Sequence, residues 1–133
     1  MTTVGPKCRR GGRRQILVID DDAAIREVVS DILTDDAFAV AAVRNLGEAK
    51  ALLQGRCFDL ILSDAPMSTW SLSGLAQLQA LQQSVNGAPI VLLTGFAEAS
   101  RLDPKAHGLA AVLMKPFDLD SLLGLVRQLL RVP

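Results

Sequence analysis

The sequence has no tyrosine, one tryptophan, one histidine and two cysteines. Four phenylalanines complete the aromatics, so Leu, Val, Ile and Ala must fill any core. Cys8 and Cys57 lack metal-type spacing, and nothing in the sequence supports a disulfide between them. No apolar run approaches the ~18 residues that a membrane span needs. No charged-then-apolar leader opens the chain. These absences point to a reducing, cytoplasmic compartment as the default. With a single histidine, His107, flanked by Pro104 and Gly108, a histidine-rich metal site is excluded; His107 reads as a surface residue, neither ligand nor phosphodonor. No internal repeat or second domain is visible, so no DNA-binding domain is expected.

Half of the 133 residues are apolar, enough for one domain with a real core. Net charge is zero but unevenly spread. Residues 1–14 carry five bases (Lys7, Arg9, Arg10, Arg13 and Arg14) and no acid, leaving nine bases against fourteen acids over 15–133. The reading is a basic, disordered tail over 1–14 and a folded domain over 15–133. The tail is either a solubilising extension or a contact for an acidic partner.

Hydrophobic periodicity alternates between strand-like and helix-like along the chain. Strand patterns cover 15–19, 38–43, 60–63, 88–94 and 110–114. Helix patterns cover 23–34, about 45–54, 74–84 and 119–131, with Asp22, Asn45 and Asp118 as N-caps. Between Gly95 and Leu109 only a short or frayed helix is expected, since Pro104 and Gly108 interrupt it. Continuous rather than alternating apolar strands imply a parallel sheet covered on both faces. The fold class is therefore α/β: a (βα)5 doubly wound five-stranded parallel sheet, flavodoxin-like, in a three-layer sandwich. Ligands of such sheets bind beyond the carboxyl ends of the strands.

Chemistry-bearing residues stand at those ends. Asp20, Asp21 and Asp22 follow the first strand, Asp64 the third, Thr94 the fourth and Lys115 the fifth. Like-charged carboxylates ~4 Å apart repel by about 4 kcal/mol per pair at an effective dielectric of ~20. They stay ionised only if a cation joins them. An all-oxygen site with few carboxylates and room for water suits Mg²⁺. An ammonium and a hydroxyl beside it can hold a phosphoryl group, and a carboxylate can itself be the nucleophile. On this reading Asp64 is the reacting group, the acids after the first strand hold the metal, and Lys115 and Thr94 meet the phosphate. Each residue alone has a plainer reading: a solvated turn and cap, a turn residue, a strand-end residue, a solvated charge. A small phosphohydrolase of similar topology would also use such a site, but no separate acid-base group or cap is visible.

The segments ILVIDDDAAIREVV, FDLILSD, PIVLLTG and LMKPF together resemble the receiver domain of two-component response regulators, over about residues 15–131. The resemblance implies Mg²⁺-dependent phosphoryl transfer from a histidine kinase or phosphotransfer protein to Asp64. That transfer switches a surface for a downstream protein. It implies a signalling switch, not a turnover enzyme. It further implies Asp21 as a direct metal ligand, Asp20 as a ligand mainly through water, Asp64 as phospho-acceptor and the Pro66 carbonyl as a backbone ligand. Thr94 becomes the switch hydroxyl, Lys115 the phosphate-binding lysine, and Lys115–Pro116 a cis bond.

The sequence also departs from the family pattern. Ser68 stands where a proline follows the methionine, and Gly74 comes about two residues late, so the loop Ala65–Ser73 is longer. Pro66 and Phe96 flank the acceptor with apolar groups, which predicts slow autodephosphorylation. Val112 occupies the position of the family's switch aromatic, and a valine has no ring to swing. With LLTGFAE resembling receivers of hybrid kinases, these departures motivate the alternative: a degenerate or hybrid-kinase-type receiver acting as a phosphorylation-independent binding module. Trp70, on the same loop, is either a reporter of the site or a hydrophobic plug.

Overall fold

The computed structural model describes residues 12–64, 87–95 and 103–130. Residues 1–11, the loop 65–73, the expected helix 74–84 and Phe96 lie outside them. Five short strands carry the runs of Val, Ile and Leu: β1 (Gln15–Ile19), β2 (Ala39–Val43), β3 (Leu60–Asp64), β4 (Ile90–Thr94) and β5 (Ala111–Met114). All pair in parallel, in the order β2-β1-β3-β4-β5, as the uninterrupted apolar runs require. The helices are α1 (Ala23–Asp35), α2 (Leu46–Leu53) and α3 (Leu119–Leu130), and a 3₁₀ turn spans Pro104–His107.

The period-two alternation of the strands sorts the core onto two faces. Ile16, Val18, Leu60, Leu62, Val91 and Leu93 pack with Val29 and Leu33 of α1 and Leu122, Val126 and Leu130 of α3. Leu17, Ile19, Ile61, Ile90 and Leu92 pack on the other face with Ala49 and Leu53 of α2, Phe58 and Leu109. Of the apolar positions in α1, Val28 departs from the inward set; it is 48% exposed. The i+3 step from Ile25 carries it past the edge of the stripe that Val29 and Leu33 bury.

The caps follow the sequence. Asp22 Oδ1 accepts from the backbone N–H groups of Ala24 and Ile25, and Asn45 Oδ1 accepts from that of Glu48. Asp118 Oδ1 accepts from the Ser121 N–H at 2.7 Å. At the far end of α1 the N–H of Ala37 bonds the Thr34 carbonyl, and that of Phe38 the Leu33 carbonyl. This is a Schellman closure, with Leu33 and Phe38 in one apolar cluster. It requires a left-handed residue at Ala37, whose φ is 72°.

One expectation is corrected. Cys57 is disulfide-bonded, where the sequence supports no disulfide. The segment that carries Cys57 lies beside the start of β1: the Asp59 N–H donates to the Gln15 carbonyl at 2.7 Å. Cys8 lies outside the described residues.

Candidate functional site

Strand alternation continues past the last apolar residue of each strand. Asp20 follows Ile16 and Val18, Asp64 follows Leu60 and Leu62, and Lys115 follows Ala111 and Leu113. All three therefore fall on the α1 and α3 side at the carboxyl edge of the sheet. Their contacts agree. Lys115 Nζ lies 3.0 Å from Asp20 Oδ2 and 3.0 Å from Asp64 Oδ1. Residues 95 positions apart in the chain thus meet from the ends of β5 and β1, with β3 and β4 between those strands.

Asp20 is held at every polar group. Oδ1 accepts the Asp22 N–H at 2.9 Å, Oδ2 accepts Lys115, and the backbone N–H donates to the Val43 carbonyl at 3.1 Å. The backbone carbonyl accepts Arg26 Nη1 at 2.8 Å. This last contact was not expected from the sequence. Its only signal was a base near the start of a helix, where the helix dipole disfavours positive charge. Asp21, by contrast, is exposed, and its carboxylate accepts no hydrogen bond among the described residues. Asp22 caps α1, as expected.

Carboxylate oxygens of Asp20, Asp21 and Asp64 all lie within 4.8 Å of one another. Three acids face one bridging ammonium, so negative charge is in surplus. Burial pushes the Asp64 carboxyl above its ordinary value; the Lys115 hydrogen bond opposes this, and the charges of Asp20 and Asp21 add to it. Burial alone would lower the pKa of the Lys115 ammonium, but its hydrogen bonds to Asp64 and Asp20, with the charges of both carboxylates, outweigh burial and hold it above the ordinary value. The lysine therefore stays charged at neutral pH. The donor set is all oxygen, and the Asp21 carboxylate and Asp64 Oδ2 accept no hydrogen bond among the described residues. Both features fit a hard divalent cation such as Mg²⁺.

Thr94 ends β4, fully buried, and its carbonyl accepts the Lys115 N–H at 2.7 Å. Gly95 beside it leaves room: a Cβ there would meet Lys115 Cβ at 3.7 Å, an ordinary contact. The Lys115–Pro116 bond is cis. Val112 is half-buried against the α2-side cluster. Pro66 and Trp70 lie outside the described residues, as does the side chain of His107.

A family profile described as the response regulator receiver domain matches residues 16–127. The chain belongs to the receiver domain family. Among curated relatives, the response regulator protein PilR of Pseudomonas aeruginosa is 33% identical over 90% of this chain and 27% of its own. Such relatives are longer proteins; this chain spans about a quarter of the length of several of them. Among solved structures, the chemotaxis response regulator CheY4 of Vibrio cholerae is similar at TM-score 0.74 and 29% identity, over 88% of this chain and 98% of that one. The response regulator TrrA of Thermotoga maritima, solved in complex with Mg(2+)-BeF, is similar at TM-score 0.71 and 28% identity, over 87% and 98%. Receiver domains are the signalling switches of two-component systems; they interact with histidine kinases or phosphotransfer proteins and generally bind Mg²⁺ at an acidic pocket. The receiver described here has such an acidic cluster. No helix among its described residues is long and apolar enough to cross a membrane.

Proposed function

We propose that this receiver accepts a phosphoryl group on Asp64 from the phosphohistidine of a kinase or phosphotransfer protein, with Mg²⁺, and so alters a protein-binding surface. The observation that carries this reading is the single ammonium of Lys115 at 3.0 Å from both Asp64 Oδ1 and Asp20 Oδ2, beside the open carboxylate of Asp21.

An Asp64 oxygen attacks phosphorus in line with the phosphohistidine nitrogen. The new O–P bond forms as the N–P bond breaks, and the electron pair returns to the imidazole, which takes up a proton from solvent. Lys115 Nζ, already bonded to Asp64, moves its hydrogen bond to a phosphoryl oxygen as charge develops there. The Thr94 hydroxyl donates to a second phosphoryl oxygen. Asp21, Asp64 and the Pro66 carbonyl would hold Mg²⁺ directly and Asp20 through water; the ion would neutralise the phosphoryl oxygens. TrrA, crystallised with Mg(2+)-BeF, supports the same chemistry by similarity.

A second reading, a binding module that works without phosphoryl transfer, draws on Val112. It packs half-buried against the α2-side cluster and offers no aromatic ring to report on Thr94.

Incubation with acetyl phosphate and Mg²⁺ distinguishes the two. The first reading expects a one-phosphoryl mass gain that needs Mg²⁺ and disappears in Asp64→Asn. An unlabelled wild type that binds Mg²⁺ rejects it and leaves the second.

A further inference from the structure

Arg26 is the fourth residue of α1, a turn from the acidic cluster. A base near a helix N-terminus opposes the dipole of its own helix. The structure compensates it with one directed bond: Nη1 reaches back six residues to the Asp20 carbonyl at 2.8 Å. That carbonyl belongs to the peptide joining Asp20 to Asp21. A peptide unit is planar. Fixing its carbonyl oxygen therefore fixes the direction of its N–H and the position of the Asp21 Cα. The two flanking peptide planes are held as well: the Asp20 N–H donates to the Val43 carbonyl, and the Asp22 N–H donates to Asp20 Oδ1. Asp21 is thus an exposed carboxylate with no hydrogen bond of its own among the described residues, carried on a backbone locked from both sides.

We propose that Arg26 is a positioning residue: its bond to the Asp20 carbonyl sets the Asp20–Asp21 peptide plane, and so presents the Asp21 carboxylate to the divalent cation. The inference rests on the metal-site reading given above and adds a residue to it. It also has an unusual sign. By charge alone, Arg26 repels a cation, so its removal would tighten binding. By positioning, its removal weakens binding even though a positive charge is lost.

Mn²⁺ binding followed by electron paramagnetic resonance, with Mg²⁺ competition, separates these effects in the full chain. Arg26→Met is expected to raise the cation dissociation constant about tenfold, the scale on which partners of metal ligands act. Arg26→Lys, which can still donate to the carbonyl, should recover part of that loss. In an Asp21→Asn background, Arg26→Met should change the constant less than about twofold, because the group it positions is already impaired. A general loss of folding would not show this dependence on Asp21. Equal or tighter binding in Arg26→Met overturns the proposal, as does an undiminished effect in the Asp21→Asn background. If Arg26→Met does not melt cooperatively, Arg26→Gln takes its place under the same two criteria. A wild type that binds neither ion overturns the metal-site reading itself, and the proposal with it.

Discussion

The two ends of the sheet use similar residues to opposite effect. At the amino end, Asp59 Oδ2 accepts the Gln15 N–H at 2.7 Å, Arg56 Nη2 donates to Gln15 Oε1 at 3.0 Å, and the Arg56 guanidinium lies 4.9 Å from the centre of the Phe58 ring. One acid, one base and one amide satisfy one another, and the polar groups close the strand ends. At the carboxyl end, three carboxylates cluster and one ammonium bridges two of them, Asp20 and Asp64; the third, Asp21, is left without a hydrogen bond among the described residues. Balanced polar groups make a lid on the fold. Unbalanced ones make a place for a ligand that carries the missing charge.

Substitutions at the two ends should therefore fail in different ways. Lys115→Met at the carboxyl end is expected to cost about 10²–10³-fold in the rate of phosphoryl uptake from acetyl phosphate, the range for losing one group that meets developing charge. Mass spectrometry over time measures it, and a loss of only a few-fold would mean that the ammonium is a structural counter-ion. Asp59→Ala at the amino end is expected to leave that rate unchanged while lowering stability by about 1–2 kcal/mol, because it strands the Gln15 N–H. Urea midpoints read the second effect. If Asp59→Ala slowed phosphoryl uptake, the contrast between the ends would collapse.

The contrast also marks how far the sequence could be read. The strands were legible because a parallel sheet buried on both faces demands uninterrupted runs such as ILVI and IVLLT, which few other structures need. The placement of Asp20, Asp64, Thr94 and Lys115 at the carboxyl ends of strands was legible because each ends or closely follows such a run. Arg26 was not: its role depends on a side chain doubling back to a carbonyl, and no spacing rule encodes that. Val28 lies in an apolar helix pattern yet is exposed, because a helix stripe has edges and i+3 from Ile25 falls just beyond one. Cys57 was misread because pairing depends on where separate segments meet, and spacing along the chain does not report that. Ala37 gave no signal either. The turn after α1 needs a left-handed residue, for which glycine is the usual mark, and here an alanine bears the cost. Ala37→Gly should therefore raise stability by about 0.5–1 kcal/mol, seen as a higher melting temperature with no change in cation affinity. Its site lies at the balanced end, so any effect on the acidic cluster would show the ends to be coupled.

The smallest effect concerns the proton on Asp64. With no Mg²⁺ present, burial and the neighbouring acids hold this carboxyl above the ordinary 3.8, against the pull of Lys115. A carbon-13 NMR titration should place its midpoint above that value, and Mg²⁺ should move the midpoint down, since a bound cation favours the ionised form. The sign of the stability effect follows. The folded protein holds this proton more tightly than the unfolded chain, so Asp64 contributes a loss of stability as pH rises from the ordinary value through the folded one, and a constant cost above it. Measured without Mg²⁺, the stability of the wild type relative to Asp64→Asn should therefore fall across that window. With Mg²⁺ the fall should shrink or reverse, because the ion then supplies the charge that the amino end supplies for itself. A midpoint at or below 3.8 without Mg²⁺ would mean that Lys115 alone balances the cluster, and that the two ends differ less than their geometry indicates.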